Sequence, residues 1–169
     1  MTAATQTVRL RMEPLDLAAH EGELAALHAD PRVMATMGGE GTREQSRAWI
    51  ERNLRHGEDP GLGIFVFRER ETGRFVGRGA IRRIEIGGRT EVEVGYALAF
   101  DAWGQGYATE MAEALVAHAE AGGHGPLVAY TEPRNAASRR VLEKVGFRYE
   151  RDLVHHGRDQ VLYRRKETP

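Results

Sequence analysis

The chain has 169 residues, 41 % hydrophobic and 29 % charged, with no cysteine and a formal charge of −1 from 24 Lys+Arg against 25 Asp+Glu. That length builds one domain with a sizeable core rather than two, and the missing cysteine excludes disulfides, thiolate metal sites, Fe–S clusters and a cysteine nucleophile. The charge balance carries neither a basic nucleic-acid footprint nor an acidic tail, no apolar run approaches the ~20 residues that span a bilayer, and Met1 to Glu13 lacks the apolar segment of a secretory signal. A cytoplasmic protein with no nucleic-acid and no membrane partner is expected. Its cations are 22 Arg and 2 Lys (Lys144 and Lys166). Alongside abundant Ala and Gly, that bias reads as GC-rich codon usage rather than as an arginine-built site.

Along the chain, Val8 to Met12 alternates at period two before Pro14, an edge-strand signature. Leu17, Leu24 and Leu27 keep helical spacing within 15–29, and Asp30-Pro31 closes that segment. Thr42, followed by Glu44 and Gln45, starts a helix to about Arg55 with Trp49, Ile50 and Leu54 as its buried stripe. A β-rich middle follows. Gly63–Phe67 is a strand, Glu71–Arg74 a turn, Phe75 to Ile86 a second strand interrupted by Gly77 and Gly79, and Gly87-Gly88 a hairpin turn. In the third strand Val92, Val94, Tyr96 and Leu98 alternate with Glu91, Glu93, Gly95 and Ala97, which completes an antiparallel meander.

The pattern then changes. A helix over 106–121 stacks Ala108, Met111, Ala112, Leu115 and Ala119 on one stripe and stops at Gly122-Gly123. Pro126–Thr131 reads as a buried strand, Asn135 to about Lys144 as a helix stopped by Gly146, and 147–153 and 159–165 as two strands around a turn at Gly157. The expected fold class is α+β: a single domain over 1–169, with one mixed, mostly antiparallel sheet of about seven strands and about four helices.

The stretch from Glu93 to Glu110 carries the chemistry. A strand enters a loop holding Gly104 and Gly106 that opens directly into a helix, which aims unpaired N–H groups and a positive helix end at one spot. Such a spot suits a diphosphate, and glycine lets its oxygens approach the backbone. A plain strand-to-helix turn would use the same two glycines. A dinucleotide fingerprint needs Gly or Ala where Thr109 stands, and the Gly-Lys-Ser/Thr ending of a Walker loop is absent.

Trp103-Gly-Gln-Gly-Tyr-Ala-Thr-Glu110 resembles the acetyl-CoA pyrophosphate loop of the GNAT superfamily, specifically its RimJ/RimL-like branch. Trp103 departs from the Arg or Gln of the general pattern and matches the branch, whereas Gly106 and Ala108 keep the pattern. Asn135-Ala-Ala-Ser138 followed by Glu143-Lys-Val-Gly-Phe147 is similar to the family's Asn-x-x-Ser…Glu-Lys-x-Gly-Phe, and Arg9 to Leu15 resembles the branch's opening strand. The resemblance covers almost the whole chain in order. It implies an N-acetyltransferase that takes acetyl-CoA as co-substrate and a primary amine, on a protein N-terminus or a small molecule, as acceptor. The pantetheine arm would pair like an added strand along Leu98, Ala99 and Phe100. The diphosphate would sit on the amides of Gly104, Gln105, Gly106, Tyr107, Ala108 and Thr109. Asn135 would face the cofactor, with Ser138 on the same helix face. Homodimers are common in this family.

Acetyl transfer requires a neutral nitrogen, oxyanion stabilisation and a proton for the departing thiolate. Glu93, whose face neighbours Gly95 and Ala97 are small enough to border a cavity, is the expected base, directly or through water. The bland alternative is a solvent-facing strand carboxylate, as Glu91 is read to be. Many superfamily members carry a thiolate-facing Tyr seven residues after the equivalent of Asn135; here that place is Leu142. Ser138 is the remaining hydroxyl on that face and is expected to position and stabilise the sulfur, since serine is a poor acid. Without cysteine an acyl-enzyme on cysteine is unavailable, so direct attack of the amine in a ternary complex is the expected route. His155-His156 fall at a turn without metal-ligand spacing, so no metal is expected. Tyr130, Tyr149, Tyr163 and Trp49 read as packing residues, and Arg32, Glu40 and Arg43 as groups that could face an acceptor. Two other classes compete: a non-catalytic acetyl-CoA-binding regulatory module, and a nucleotide-binding domain unrelated to CoA.

Overall fold

Short polar side chains start the helices where the sequence places them. In the computed structural model, which describes residues 5–166, Asp16 accepts from the Ala19 N–H ahead of α1 (Leu17–Ala29). Thr42 and Gln45 exchange hydrogen bonds as a capping box ahead of α3 (Arg43–Leu54). Asp30-Pro31 both stops α1 and opens a single extra turn, α2 (Pro31–Met34), because Asp30 caps it and proline suits a first helical position. The later helices are α4 (Tyr107–Ala121) and α5 (Ala136–Lys144).

The strands are β1 (Thr5–Gln6), β2 (Leu10–Pro14), β3 (Gly63–Glu69), β4 (Phe75–Ile86), β5 (Arg89–Leu98), β6 (Leu127–Thr131), β7 (Arg148–His155) and β8 (Arg158–Arg165), in one eight-stranded sheet ordered β1-β2-β3-β4-β5-β6-β8-β7. The opening strand starts two residues later than its alternation indicates and is covered by β1, which pairs Gln6 with Arg11, so it is not the edge. β1 and α2, both too short to show a period, account for the excess over seven strands and four helices.

β1 to β5 are antiparallel neighbours, and α4 supplies the crossover that a parallel β5–β6 pairing requires. That pairing is brief. Only Val92↔Leu127 and Glu93↔Val128 are partners, while β5 continues beside β4 to Leu98 and β6 beside β8 to Thr131. Beyond Glu93 the two strands part, and the β5 edge facing the gap lacks a strand partner.

Alternation on β5 then divides the core. Val94 and Leu98 pack with Met111 and Leu115 of α4, and Ala97 joins Leu24, Leu27 and Ile50 of α1 and α3 on the opposite face. The glycines that interrupt β4 are close approaches: a Cβ at Gly79 would lie 2.7 Å from Leu115, and one at Gly77 would strike the Ala97 carbonyl. Three side chains depart from their expected settings. Leu54 is exposed, and the inner face of α3 is instead Ser46, Ile50 and Asn53. Glu91 is no solvent-facing carboxylate, because Arg164 pairs with it at 2.8 Å. Tyr149 is exposed, while Tyr163 is fully buried. No helix among the described residues is long and apolar enough to cross a membrane.

Candidate active site

A cleft of about 1440 Å³ opens where β5 and β6 part, and residues from both faces of the sheet line it. At one end is the start of α4. Gly104 and Gly106 have φ of +72° and +79°, a region that glycine enters without strain. Gly106 occupies the cap position of α4 with no side-chain cap, and the first returning helical bond is Glu110 N–H to the Gly106 carbonyl. The amides of Tyr107, Ala108 and Thr109 therefore point out of the helix without intrahelical acceptors, at its positive pole. Arg9 braces this turn from β2's lead-in: it donates to the Gln105 carbonyl at 2.7 Å, pairs with Glu110 at 2.8 Å and stacks on the Tyr107 ring. An uncapped helix start made of glycine and free amides fits a diphosphate.

Gly104, Gly106, Tyr107, Ala108 and Thr109 line the cleft; Gln105 does not, and its side chain donates back to the Asp101 carbonyl at 2.9 Å. Leu98 also lines the cleft, its carbonyl accepting from the Trp103 indole at 3.0 Å. Ala99 and Phe100 lie outside it: the Ala99 N–H bonds the Val76 carbonyl, and Phe100 enters a 3-10 turn under the Arg32 guanidinium. The open strand edge thus runs over 94–98 rather than 98–100.

Across the gap, Asn135 and Ser138 meet at the head of α5. The Asn135 side chain accepts from the Ser138 N–H at 3.2 Å and donates to Thr36 at 3.3 Å, which ties α5 to the loop after α2. Ser138 Oγ lies 3.2 Å from the hydroxyl of Tyr96, and burial pushes that phenol up to about 12. Leu142 is buried in the core and brings no hydroxyl. Tyr96 was legible in sequence only as one of four alternating strand residues. The signal that could have singled it out is that a packed tyrosine still needs a partner for its O–H.

The other end of the cleft is polar and sits under α1 and α3. Glu93 is 5 % exposed, and its Oε2 accepts from Arg82 Nε at 2.7 Å. Its Oε1 lies 3.1 Å from where a Gly95 Cβ would stand, so the missing side chain is what lets the carboxylate lie over the strand. Arg82 reaches Asn53 Oδ1 at 3.0 Å. Arg78, 6 % exposed, donates from Nε to His28 Nε2 at 2.9 Å, and its guanidinium stacks 4.2 Å over the Trp49 ring. Burial, then the charge of Arg78, holds His28 down at about 3, so its ring is neutral. Because Nε2 accepts, the proton sits on Nδ1 and is donated to Ser46 Oγ at 2.7 Å. Burial, then the charge of Arg82, lowers Arg78 to about 10, and it remains a cation at neutral pH. Tyr130 is pushed up to about 12 by burial and then by the Glu93 charge.

Arg32 and Glu40 border the cleft and Arg43 does not. His156 lines it, His155 packs on Tyr130, and no His/Asp/Glu grouping able to hold a metal occurs among the described residues. Sequence reasoning missed Arg78, Arg82, Asn53 and His28. With 22 arginines in the chain, two of them at a site are invisible by residue type alone.

Residues 9–148 match the family model described as an acetyltransferase (GNAT) domain. The Bacillus subtilis protein YkkB, itself uncharacterized, is 34 % identical over 164 residues, 96 % of this chain and 94 % of that protein. An acetyltransferase structure from Agrobacterium tumefaciens superposes with a TM-score of 0.84 at 26 % identity, over 99 % of this chain and 96 % of that one. The ribosomal L7/L12 α-N-protein acetyltransferase RimL, solved in complex with coenzyme A, shares the fold with a TM-score of 0.78 at 19 % identity, over 96 % and 97 % of the two chains.

Proposed function

The chain belongs to the GNAT acetyltransferases, enzymes that use acetyl-CoA, and from that premise we propose that it acetylates a primary amine by direct attack in a ternary complex, with Glu93 as base. One observation carries this reading: an uncapped helix start and a buried carboxylate open onto the same cleft, on either side of an unpaired strand edge.

Acetyl-CoA supplies the acetyl group as an activated thioester. The free amides of Tyr107, Ala108 and Thr109 hold the diphosphate, and the β5 edge from Val94 to Leu98 offers backbone groups to the pantetheine arm and to a developing oxyanion. Glu93 takes a proton from the amine, directly or through water, as the N–C bond forms and the C–S bond breaks. The electron pair of the broken bond leaves on sulfur, where the paired hydroxyls of Ser138 and Tyr96 offer the one O–H that their mutual hydrogen bond leaves free. A phenol near 12 does not hand its proton outright to a thiolate whose conjugate acid titrates near ~8.5, so these hydroxyls stabilise the sulfur and water delivers its proton. The Trp103-Gly-Gln-Gly-Tyr-Ala-Thr loop supports placement in the RimJ/RimL-like branch, and the single sheet that joins β1 to β8 supports one catalytic domain.

Thermal-shift measurements with acetyl-CoA, ATP and NAD, followed by free-thiol release over a panel of amines, test the reading. Acetyl-CoA alone should stabilise the protein, and at least one amine should release thiol. Stabilisation without release from any amine would replace the enzyme with a regulatory binding module.

A further inference from the structure

Arg78 has no acidic partner. The carboxylate nearest along the sheet, Glu93, is engaged by Arg82, and the contacts of Arg78 are a neutral imidazole at Nε and an indole face. Its two terminal nitrogens meet no acceptor among the described residues, although the side chain is buried and lines the cleft. A buried cation without a counter-charge is costly, and a guanidinium fork left open is shaped for a planar anion. His28, at Nε, and the Trp49 ring hold that fork in place where it lines the cleft.

The surrounding wall repeats the demand. Gln160, 2 % exposed, has an Nε2 with no partner and also lines the cleft. Strand register puts it on Glu93's face: Gln160 lies two residues from Leu162, which pairs with Tyr130, which lies two residues from Val128, the partner of Glu93. Gln160 Nε2 is buried without a partner and the Arg78 terminal nitrogens open on the cleft without one; both are donors, so what they lack is an acceptor. Of the two guanidiniums that flank Glu93 on this face, Arg82 takes its carboxylate, and Arg78 is left for a carboxylate brought by the ligand.

Spacing adds the size. Arg82 stands opposite Glu93, Ala80 opposite Gly95 and Arg78 opposite Ala97, all on one face. The Glu93 carboxylate leans over Gly95, and Arg78 is one same-face step beyond Ala80, roughly 7 Å along the strand. Only the small side chains of Ala80 and Ala97 separate the two groups.

We propose that the acceptor is a small, amino-acid-like molecule whose amine faces Glu93 and whose carboxylate, a few bonds away, is clamped by Arg78. This substrate class rests on the acetyl-transfer reading above, and the test separates the two. The full-length protein is saturated with CoA, and binding of the common amino acids is compared by calorimetry with binding of their carboxamides, which keep the amine and lose the negative charge. Peptides that begin with Asp or Glu form a further arm, and thiol release from acetyl-CoA is measured with the same compounds. At least one amino acid should bind about tenfold or more tightly than its carboxamide. Arg78→Met should bring that ratio to near unity without changing acetyl-CoA affinity, and Gln160→Leu should lower it by a smaller factor. Equal binding of acids and carboxamides by the parent protein, a preference that survives in Arg78→Met, or selective binding of the acidic peptides alone overturns the proposal. Loss of thiol release with the acid preference intact would instead overturn acetyl transfer and leave the carboxylate site standing.

Discussion

Glu93 can lie across its own strand because position 95 has no side chain, and it can be buried because Arg82 meets one of its oxygens. Replacing the carboxylate by an isosteric amide should keep the fold and the cofactor site. Glu93→Gln is therefore expected to bind acetyl-CoA as the parent does while turnover falls on the order of 100-fold. The deficit should shrink at high pH, where the amine is already neutral. Normal thiol release at every pH would remove Glu93 as base. At the other end of the cleft, Gly106 holds φ at +79°, and a β-branched residue there is strained by at least about 1 kcal/mol before it crowds Arg9 and the anion site. Calorimetry on Gly106→Val should show no acetyl-CoA binding, with far-UV circular dichroism unchanged. Both positions were legible in sequence, Gly106 from its motif and Glu93 from small neighbours in an alternating strand. Arg78 and Tyr96 were not, because what distinguishes them is the absence or presence of a partner that the chain brings from 40 or more residues away.

Elements were legible in proportion to their length. The twelve-residue β4, the ten-residue β5 and the fifteen-residue α4 show full periods, whereas the two-residue β1 and four-residue α2 have none to show. The stripe assigned to α3 was partly misplaced: Leu54 emerges to solvent, while Ser46 and Asn53 turn inward to meet His28 and Arg82. A helix that roofs a polar cleft carries polar residues on its buried face, so an apolar stripe is the wrong guide there. The start of α3 is held by a reciprocal capping box, and Thr42→Ala should cost about 1 kcal/mol, a fall in Tm of roughly 2–4 °C. Because α3 carries Trp49, Ser46 and Asn53 over the cleft, the acceptor KM should rise more than the acetyl-CoA KM in the same variant.

For the whole molecule, the buried His28–Arg78 contact links stability to pH. The folded state holds His28 near 3, below the 6.5 of an unperturbed histidine, so as pH falls the unfolded chain takes up the proton first. The stabilisation is complete above about 6.5 and is lost progressively toward 3, reaching about 2 kcal/mol by pH 5. Denaturant unfolding should show that loss between pH 7 and pH 5, and His28→Gln, which can still accept from Arg78 and donate to Ser46, should flatten it; an equal slope in both proteins would count against the neutral buried histidine. By itself the sequence determined the single α+β domain, the meander followed by a crossover, the glycine loop at a helix start and the acetyl-CoA family, because each rests on local periodicity or on residues adjacent in the chain. Only the tertiary structure decided where β5 and β6 separate, that the open edge lies at 94–98, and that Arg78 and Arg82 are the arginines that flank Glu93 in the cleft. Those are matters of strand register and of partners far apart in the chain, and a guanidinium's surroundings are set by what folds against it, not by its neighbours in sequence.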